Sequence, residues 1–199
     1  MDFKKLCLRI DKNTSLPIHN YYQKVLSLLF INGKDPFNRK LLSIECEKKL
    51  DHTLADLYLK WDYNGKVFTE IVEVELQSKK KGIEHKIDRY YKRADFLSFC
   101  FPSQKLPSLI KVFSKIKKDL NKINIIYIID SEAVTRNKRK IIDDQKMIIS
   151  AHSPFMLTQC PSGDMSCVKE VVSRHKSIFF DTLIHQHFRN KQEGSQEQT

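Results

Sequence analysis

Acidic residues lie on both strands of a hairpin predicted near the middle of the chain. Glu73, Glu75 and Gln77 alternate with apolar residues, so in a strand they project from one face. If Asp56 on the preceding strand faces the same way, Asp56 and Glu75 lie close enough to share Mg²⁺ or Mn²⁺, which prefer oxygen ligands. Such a cation lowers the pKa of a bound water and stabilises charge on a scissile phosphate. The pattern indicates metal-dependent hydrolysis of a phosphodiester bond.

An exposed strand face is the alternative interpretation of the same acids. One-sided antiparallel hairpins commonly present such residues to water and to neighbouring lysines. The metal site is favoured because the strand is central in the predicted order, follows Asp56, and runs directly into Ser78-Lys79-Lys80-Lys81.

The elements that must position these acids are predicted from hydrophobic spacing and turn residues. Residues 54–63 and 67–77 form two strands joined by Asn64-Gly65, a pair favoured in tight hairpin turns because both positions tolerate positive φ. The other predicted elements are a helix over 17–33, a strand over 41–50, helices over 82–99 and 109–120, a strand over 123–129, a basic helical segment over 131–140, a strand over 147–150, and a helix over 168–188. This order predicts an α/β fold with a mixed central sheet flanked by helices.

Length and composition favour one globular domain. The chain has 199 residues, of which 41% are hydrophobic, so a disordered chain is excluded. We expect a single domain over residues 1–189 and a disordered polar tail over 190–199. No apolar run approaches the roughly 20 residues of a membrane span. Asp11 and Lys12 interrupt the N-terminal segment before a signal-peptide core, which predicts an intracellular protein without membrane contact.

The charge balance favours a polyanionic partner. The formal net charge is +11, from 35 Lys+Arg against 24 Asp+Glu, which speeds encounter with nucleic acid. Nucleotide bias or a hot habitat also raises lysine content, but the acids do not keep pace here. The residues expected to contact phosphates beside the acids are Lys79, Lys80, Lys81, Arg89, Lys92 and Arg93.

The cysteines carry little functional information. Five are scattered along the chain without zinc-knuckle spacing, so most are expected to be buried thiols. Cys160 and Cys167 flank a turn-forming run, where a local disulfide or a metal clip is an alternative.

The order helix, strand, Asp-bearing strand, Glu-bearing strand, helix resembles the PD-(D/E)XK nuclease superfamily over residues 17–130. The resemblance implies a restriction-endonuclease-like core. In it, Asp56 takes the place of the motif aspartate and Glu75 that of the second motif acid. Gln77 stands where a lysine is usual.

This sequence departs from the family pattern in two places. Because Gln77 replaces the usual lysine, Lys79 or Lys86 would supply the positive charge, and Lys86 lies on the helix that packs beside the active site in this superfamily. The first helix lacks the acid that resolvases carry there, so Glu45 or Glu47 would replace it. The resemblance therefore implies metal ligands Asp56, Glu75, Glu73 and Glu45, and catalytic residues Asp56, Glu75, Gln77 and Lys86.

The similarity to archaeal Holliday-junction resolvases and small virus-encoded nucleases implies a specific activity. We expect a Mg²⁺- or Mn²⁺-dependent endonuclease acting as a homodimer on duplex or branched DNA. Its setting would be replication, recombination or repair of a viral or mobile genome. The alternative, which Gln77 keeps open, is a nuclease-fold DNA-binding protein without catalytic activity. A transcription regulator is disfavoured because no convincing helix-turn-helix is present.

Overall fold

The computed structural model describes residues 3–12, 17–35, 37–77, 79–102, 105–129 and 148–152. Within these ranges the helices and strands follow one another in a mixed order. They are α1 (Phe3–Ile10), α2 (Pro17–Ile31), β1 (Lys40–Leu50), β2 (Thr53–Tyr63), β3 (Lys66–Val74), α3 (Lys80–Tyr90), β4 (Phe96–Pro102), α4 (Leu106–Phe113), β5 (Ile123–Ile129) and β6 (Ile148–His152).

The strands form one six-stranded sheet in the order β1-β2-β3-β4-β5-β6. The first three strands pair antiparallel, β3, β4 and β5 pair parallel, and β6 pairs antiparallel with β5. Parallel neighbours require a crossover, and α3 and α4 lie in the two crossovers of this sheet. The predicted α/β fold with a mixed, helix-flanked sheet is confirmed.

The hairpin between β2 and β3 forms at the predicted turn. Asn64 and Gly65 have φ values of 52° and 79°, the left-handed conformation that a two-residue hairpin turn requires at both positions. Asp62 Oδ1 accepts the Gly65 N–H at 2.9 Å. The turn fixes the register in which Trp61 faces Phe68.

Both faces of the sheet are covered, and each has its own apolar cluster. On one face Leu57, Val72 and Val74 pack with buried residues of α1 and α2. On the other face Ile71 and Phe99 pack with buried residues of α3 and α4. Because side chains alternate along β3, Glu73 belongs to the α3 face, between Val72 and Val74 of the α2 face.

A fully buried ion-pair network links the loop after α2 to the sheet. Arg39 Nη2 lies 2.9 Å from Asp35 Oδ1 and 2.9 Å from Glu70 Oε2, and the three side chains are at most 1% exposed. Trp61 Nε1 donates to Glu70 Oε2 at 2.6 Å, and the guanidinium carbon lies 4.3 Å from the centre of the Trp61 ring. Each charge is therefore paired, as burial demands.

The predicted helix over residues 82–99 is wrong in its second half. The helix ends at Tyr90, and residues 96–102 form β4, which is buried along its whole length. Apolar residues continue past Tyr90 at spacings that also fit a helix, and a strand buried on both faces lacks the alternation that identifies strands.

Two smaller differences concern element ends, and a third is an additional helix. The strand predicted over residues 67–77 ends at Val74, and the helix predicted over 109–120 runs instead from Leu106 to Phe113. Helix α1 was not anticipated from the sequence. The strand predicted over 147–150 is confirmed as β6. The helical segments predicted over 131–140 and 168–188, the polar tail and the alternatives for Cys160 and Cys167 lie outside the described residues.

Among the described residues, no helix combines the length and the apolar character needed to cross a membrane.

Candidate functional site

Strands β2 and β3 stop pairing through their backbones next to Asp56. The antiparallel ladder ends at the Leu57–Val72 pair. Beyond this pair, the two strands are joined by hydrogen bonds from backbone to side chain. Asp56 Oδ2 accepts the Val74 N–H at 2.7 Å, and Glu73 Oε1 accepts the Asp56 N–H at 3.3 Å. The two carboxylates are thus held by each other's strands at the point where the ladder ends.

Glu75 follows the last residue of β3 and extends the same cluster. Its backbone N–H donates to the Cys100 carbonyl at 2.9 Å, which continues the parallel pairing of β3 with β4 by one bond. The Glu75 side chain is 13% exposed, against 5% for Glu73. Both acids therefore lie in a largely dehydrated environment.

Helix α3 brings a lysine to these two acids. Lys86 Nζ lies 3.1 Å from Glu73 Oε2 and 3.1 Å from Glu75 Oε2. The helix is held against the sheet by Ile83, Ile87 and Tyr90, which are all buried. Lys86 is the residue that the family resemblance suggested as a substitute for the missing motif lysine.

Helix α2 approaches Asp56 with two residues that were not predicted. His19 Nε2 lies 3.0 Å from Asp56 Oδ2, and Gln23 Nε2 donates to the Asp56 carbonyl oxygen at 3.1 Å. His19 and Gln23 are four residues apart and share one face of the helix. The sequence signal was a pair of polar residues at helical spacing in a helix that also carries many apolar residues.

Burial and charge shift the pKa values of the cluster. Burial, and then the negative charge of Asp56, raise the pKa of Glu73 to about 7, although Lys86 opposes the shift. For Lys86, burial lowers the pKa, but Glu73, Glu75 and Asp56 outweigh burial and raise it above its ordinary value. His19 behaves similarly: burial lowers its pKa, but the hydrogen bond and the charge of Asp56 outweigh burial and raise the pKa above its ordinary value.

Two predicted site residues lie apart from the cluster's side chains. Gln77 is exposed, and it meets the cluster through its backbone N–H, which donates to Glu75 Oε1 at 2.9 Å. Glu45 is on β1, opposite Tyr58 of β2, and its side chain pairs with Lys48 at 2.8 Å. The structure thus brings together Asp56, Glu73, Glu75 and Lys86.

The basic residues predicted to contact phosphates lie on α3 or next to it. Lys79 precedes the helix, Lys80 and Lys81 begin it, and all three are exposed. Lys80 pairs with Glu84 on the same helix at 3.6 Å. The others lie near the helix end: Arg89 is half-buried, Lys92 is exposed, and Arg93 pairs with Asp51 at 2.9 Å. The helix that carries Lys86 therefore also carries a basic surface.

The carboxylates have the donor chemistry for Mg²⁺ or Mn²⁺, but another cation already lies between two of them. In the described part of the chain, no group of three or more His, Cys, Asp and Glu side chains is arranged to hold a metal ion. Lys86 Nζ faces both Glu73 and Glu75, and Asp56 Oδ2 is engaged by His19 and Val74. The approach of a divalent cation to Glu73 or Glu75 would require the Lys86 ammonium group to withdraw.

The fold and the site define an α/β protein with a mixed six-stranded sheet and a carboxylate–lysine cluster where β2 and β3 part. Comparison of the chain with protein-family models, with curated proteins and with solved structures gave no match.

Proposed function

We propose that this chain is a Mg²⁺- or Mn²⁺-dependent DNA endonuclease with a restriction-endonuclease-like core. The observation that carries the proposal is the convergence of Asp56, Glu73, Glu75 and Lys86 where β2 and β3 part. Three acids and one lysine, largely buried at the end of a strand pair, form a costly arrangement that folding alone does not require.

Each residue has a role in this proposal. Asp56 and Glu75 hold the cation, and Glu73 assists them. A bound cation supplies a water of lowered pKa and stabilises charge on the phosphate. Lys86, once released from the two acids, has the charge and the reach to pair with a phosphate oxygen of the scissile bond. Hydrolysis breaks the bond between phosphorus and a sugar oxygen of the DNA strand. A water oxygen takes its place on phosphorus, and a proton from that water ends on the departing sugar oxygen.

The basic surface supports DNA as the substrate. The chain carries a net charge of +11, and exposed Lys79, Lys80, Lys81 and Lys92 lie on or next to the helix that bears Lys86. Such residues bind phosphates of any sequence and raise the encounter rate with DNA. Duplex or branched DNA and a homodimer complete the proposal, since cutting two strands requires two sites.

A second candidate is a DNA-binding protein of the same fold without catalytic activity. One observation favours it: Lys86 neutralises Glu73 and Glu75, while Gln77, at the usual lysine position, is exposed. In that case the acids and the lysine stabilise the fold, and the basic surface alone performs the function.

Cleavage of labelled DNA tests the proposal. Wild-type protein should cut a duplex or a four-way junction in Mg²⁺ or Mn²⁺, and Asp56→Asn and Glu75→Gln should each reduce the rate at least about 100-fold, as loss of a metal ligand or preorganised charge typically does. Glu84→Gln is the matched control, because Glu84 lies on α3 and pairs with Lys80 outside the cluster. No cleavage by the wild type, or undiminished cleavage by Asp56→Asn, would contradict the proposed nuclease activity.

DNA binding without metal separates the two candidates. If the chain is a DNA-binding protein without catalytic activity, it should bind the same DNA equally tightly with chelator and with Mn²⁺ in a gel-shift titration. The nuclease should bind its substrate more tightly with Ca²⁺, which occupies oxygen sites and often fails to support cleavage, than with chelator.

A further inference from the structure

We infer that His19 and Gln23 are positioning residues for Asp56, so that α2 belongs to the proposed nuclease site together with β2, β3 and α3. The inference rests on the proposed function. It adds two residues that act through Asp56 and that the family resemblance did not supply.

Helix α2 contacts Asp56 at two points, through His19 and Gln23, and we call this pair of contacts the clamp. His19 reaches the side-chain oxygen Oδ2 at 3.0 Å, and Gln23 reaches the main-chain carbonyl at 3.1 Å. With the Val74 N–H at 2.7 Å, Oδ2 is contacted both by β3 within the sheet and by α2, which covers the sheet. These bonds restrict the rotation of the carboxylate and fix the strand that carries it.

The clamp is built on a rigid support. Tyr22, Leu26 and Phe30 of α2 are buried in the apolar cluster that covers this face of the sheet. Gln23 is itself fully buried, and Ser27 Oγ donates to its carbonyl at 2.7 Å. Second-layer hydrogen bonds from a rigid element orient a metal-binding carboxylate and improve its affinity for the ion.

The geometry assigns His19 to positioning rather than to direct metal binding. Nε2 is engaged by Asp56. Nδ1 is buried and has no hydrogen-bond partner within the described residues. Nε2 is therefore not available to a cation while the contact with Asp56 persists, and Nδ1 is shielded from solvent by burial.

Titration of the full chain with Mn²⁺, followed by electron paramagnetic resonance of the free ion, tests the clamp. His19→Phe removes the donor and should weaken Mn²⁺ binding about 10-fold, the lower end of the effect of losing such a partner. His19→Gln keeps an N–H donor and should recover most of the affinity. His85→Phe is the control, because His85 is exposed on α3 and contacts Arg89. If His19→Phe does not fold, His19→Val takes its place.

The outcomes separate this inference from the proposed function. If His19→Phe binds Mn²⁺ as tightly as the wild type and still cuts DNA, the clamp is overturned and the proposed nuclease is not. Equal losses in His19→Phe and His19→Gln also overturn it, because a donor would then not be what matters. Nitrogen hyperfine coupling to bound Mn²⁺ that disappears in His19→Gln would make His19 a ligand instead. A wild type that binds no Mn²⁺ overturns both the clamp and the nuclease.

Discussion

The ammonium group of Lys86 lies 3.1 Å from Oε2 of Glu73, a carboxylate that is 5% exposed at the end of β3. Glu75 shares the same ammonium at the same distance. One lysine therefore balances two acids, and Asp56 adds a third negative group close by. The consequences of this arrangement for stability can be measured without knowing the substrate.

Glu73 should make stability fall with rising pH in the weakly acidic range. Its pKa is raised from an ordinary 4.5 to about 7 by burial and by Asp56, so the folded state holds its proton more tightly than the unfolded chain does. The stability from this proton is complete below 4.5 and is lost as the pH rises through about 7. Glu73→Gln should therefore flatten the pH dependence of the free energy of unfolding across this window, as measured in urea. Glu84→Gln should keep the wild-type slope, and a wild-type slope in Glu73→Gln would contradict the shift.

Lys86→Met should destabilise the protein because it leaves Glu73 buried without its counter-ion. We expect a loss of about 2 kcal/mol near pH 8, less than for a fully buried pair because Lys86 is 24% exposed. Lys80→Met, at an exposed pair 3.6 Å apart, should cost under about 1 kcal/mol.

The double variant Lys86→Met with Glu73→Gln isolates the pair. It should regain much of the stability lost in Lys86→Met, which a double-mutant cycle in urea measures as a coupling energy. Additive losses would show that Lys86 and Glu73 do not interact energetically.

Arg39→Met should cost far more than removal of a surface arginine. It leaves Asp35 and Glu70 buried and unpaired, and such losses are about 3–5 kcal/mol. Arg93→Met removes the exposed pair with Asp51 and should cost under about 1 kcal/mol. Thermal unfolding of the two variants side by side makes the comparison, and equal melting temperatures would contradict the buried network.

Two glycines should respond to alanine in opposite directions. Gly65 has a φ of 79° in the hairpin turn, a conformation that alanine adopts at a cost of about 1 kcal/mol or more. Gly82 lies inside α3, and a Cβ there meets nothing within 4 Å, so Gly82→Ala should stabilise by about 0.5–1 kcal/mol. Urea unfolding measures both changes. A gain of stability in Gly65→Ala would contradict the left-handed conformation of Gly65 in the turn.

Local signals predicted the hairpin and failed at β4. The Asn64-Gly65 pair favours positive φ at both positions and so specifies the hairpin turn locally. Pro17 begins α2, as the sequence indicated. Strand β4 is buried on both faces, so its composition does not distinguish it from the end of α3. The distinction comes from its pairing with β3 and β5 on either side.

The strand acids and Lys86 were predicted as site residues, whereas the contacts from α2 were not. Asp56 and His19 are 37 residues apart, and no local pattern connects a helix residue to the strand it covers. The network of Arg39, Asp35 and Glu70 is equally non-local, since Glu70 belongs to β3. Such contacts depend on how α2 and its following loop pack on the sheet.

Soaking a crystal of the protein in Mn²⁺ would show directly whether Asp56 and Glu75 hold a cation. We expect an anomalous peak about 2.0–2.6 Å from carboxylate oxygens of Asp56 and Glu75, with Lys86 Nζ moved away from its present position 3.1 Å from Glu75. The proposed metal site would be contradicted by the absence of any peak near Asp56 and Glu75 at saturating Mn²⁺, with Lys86 still bridging Glu73 and Glu75.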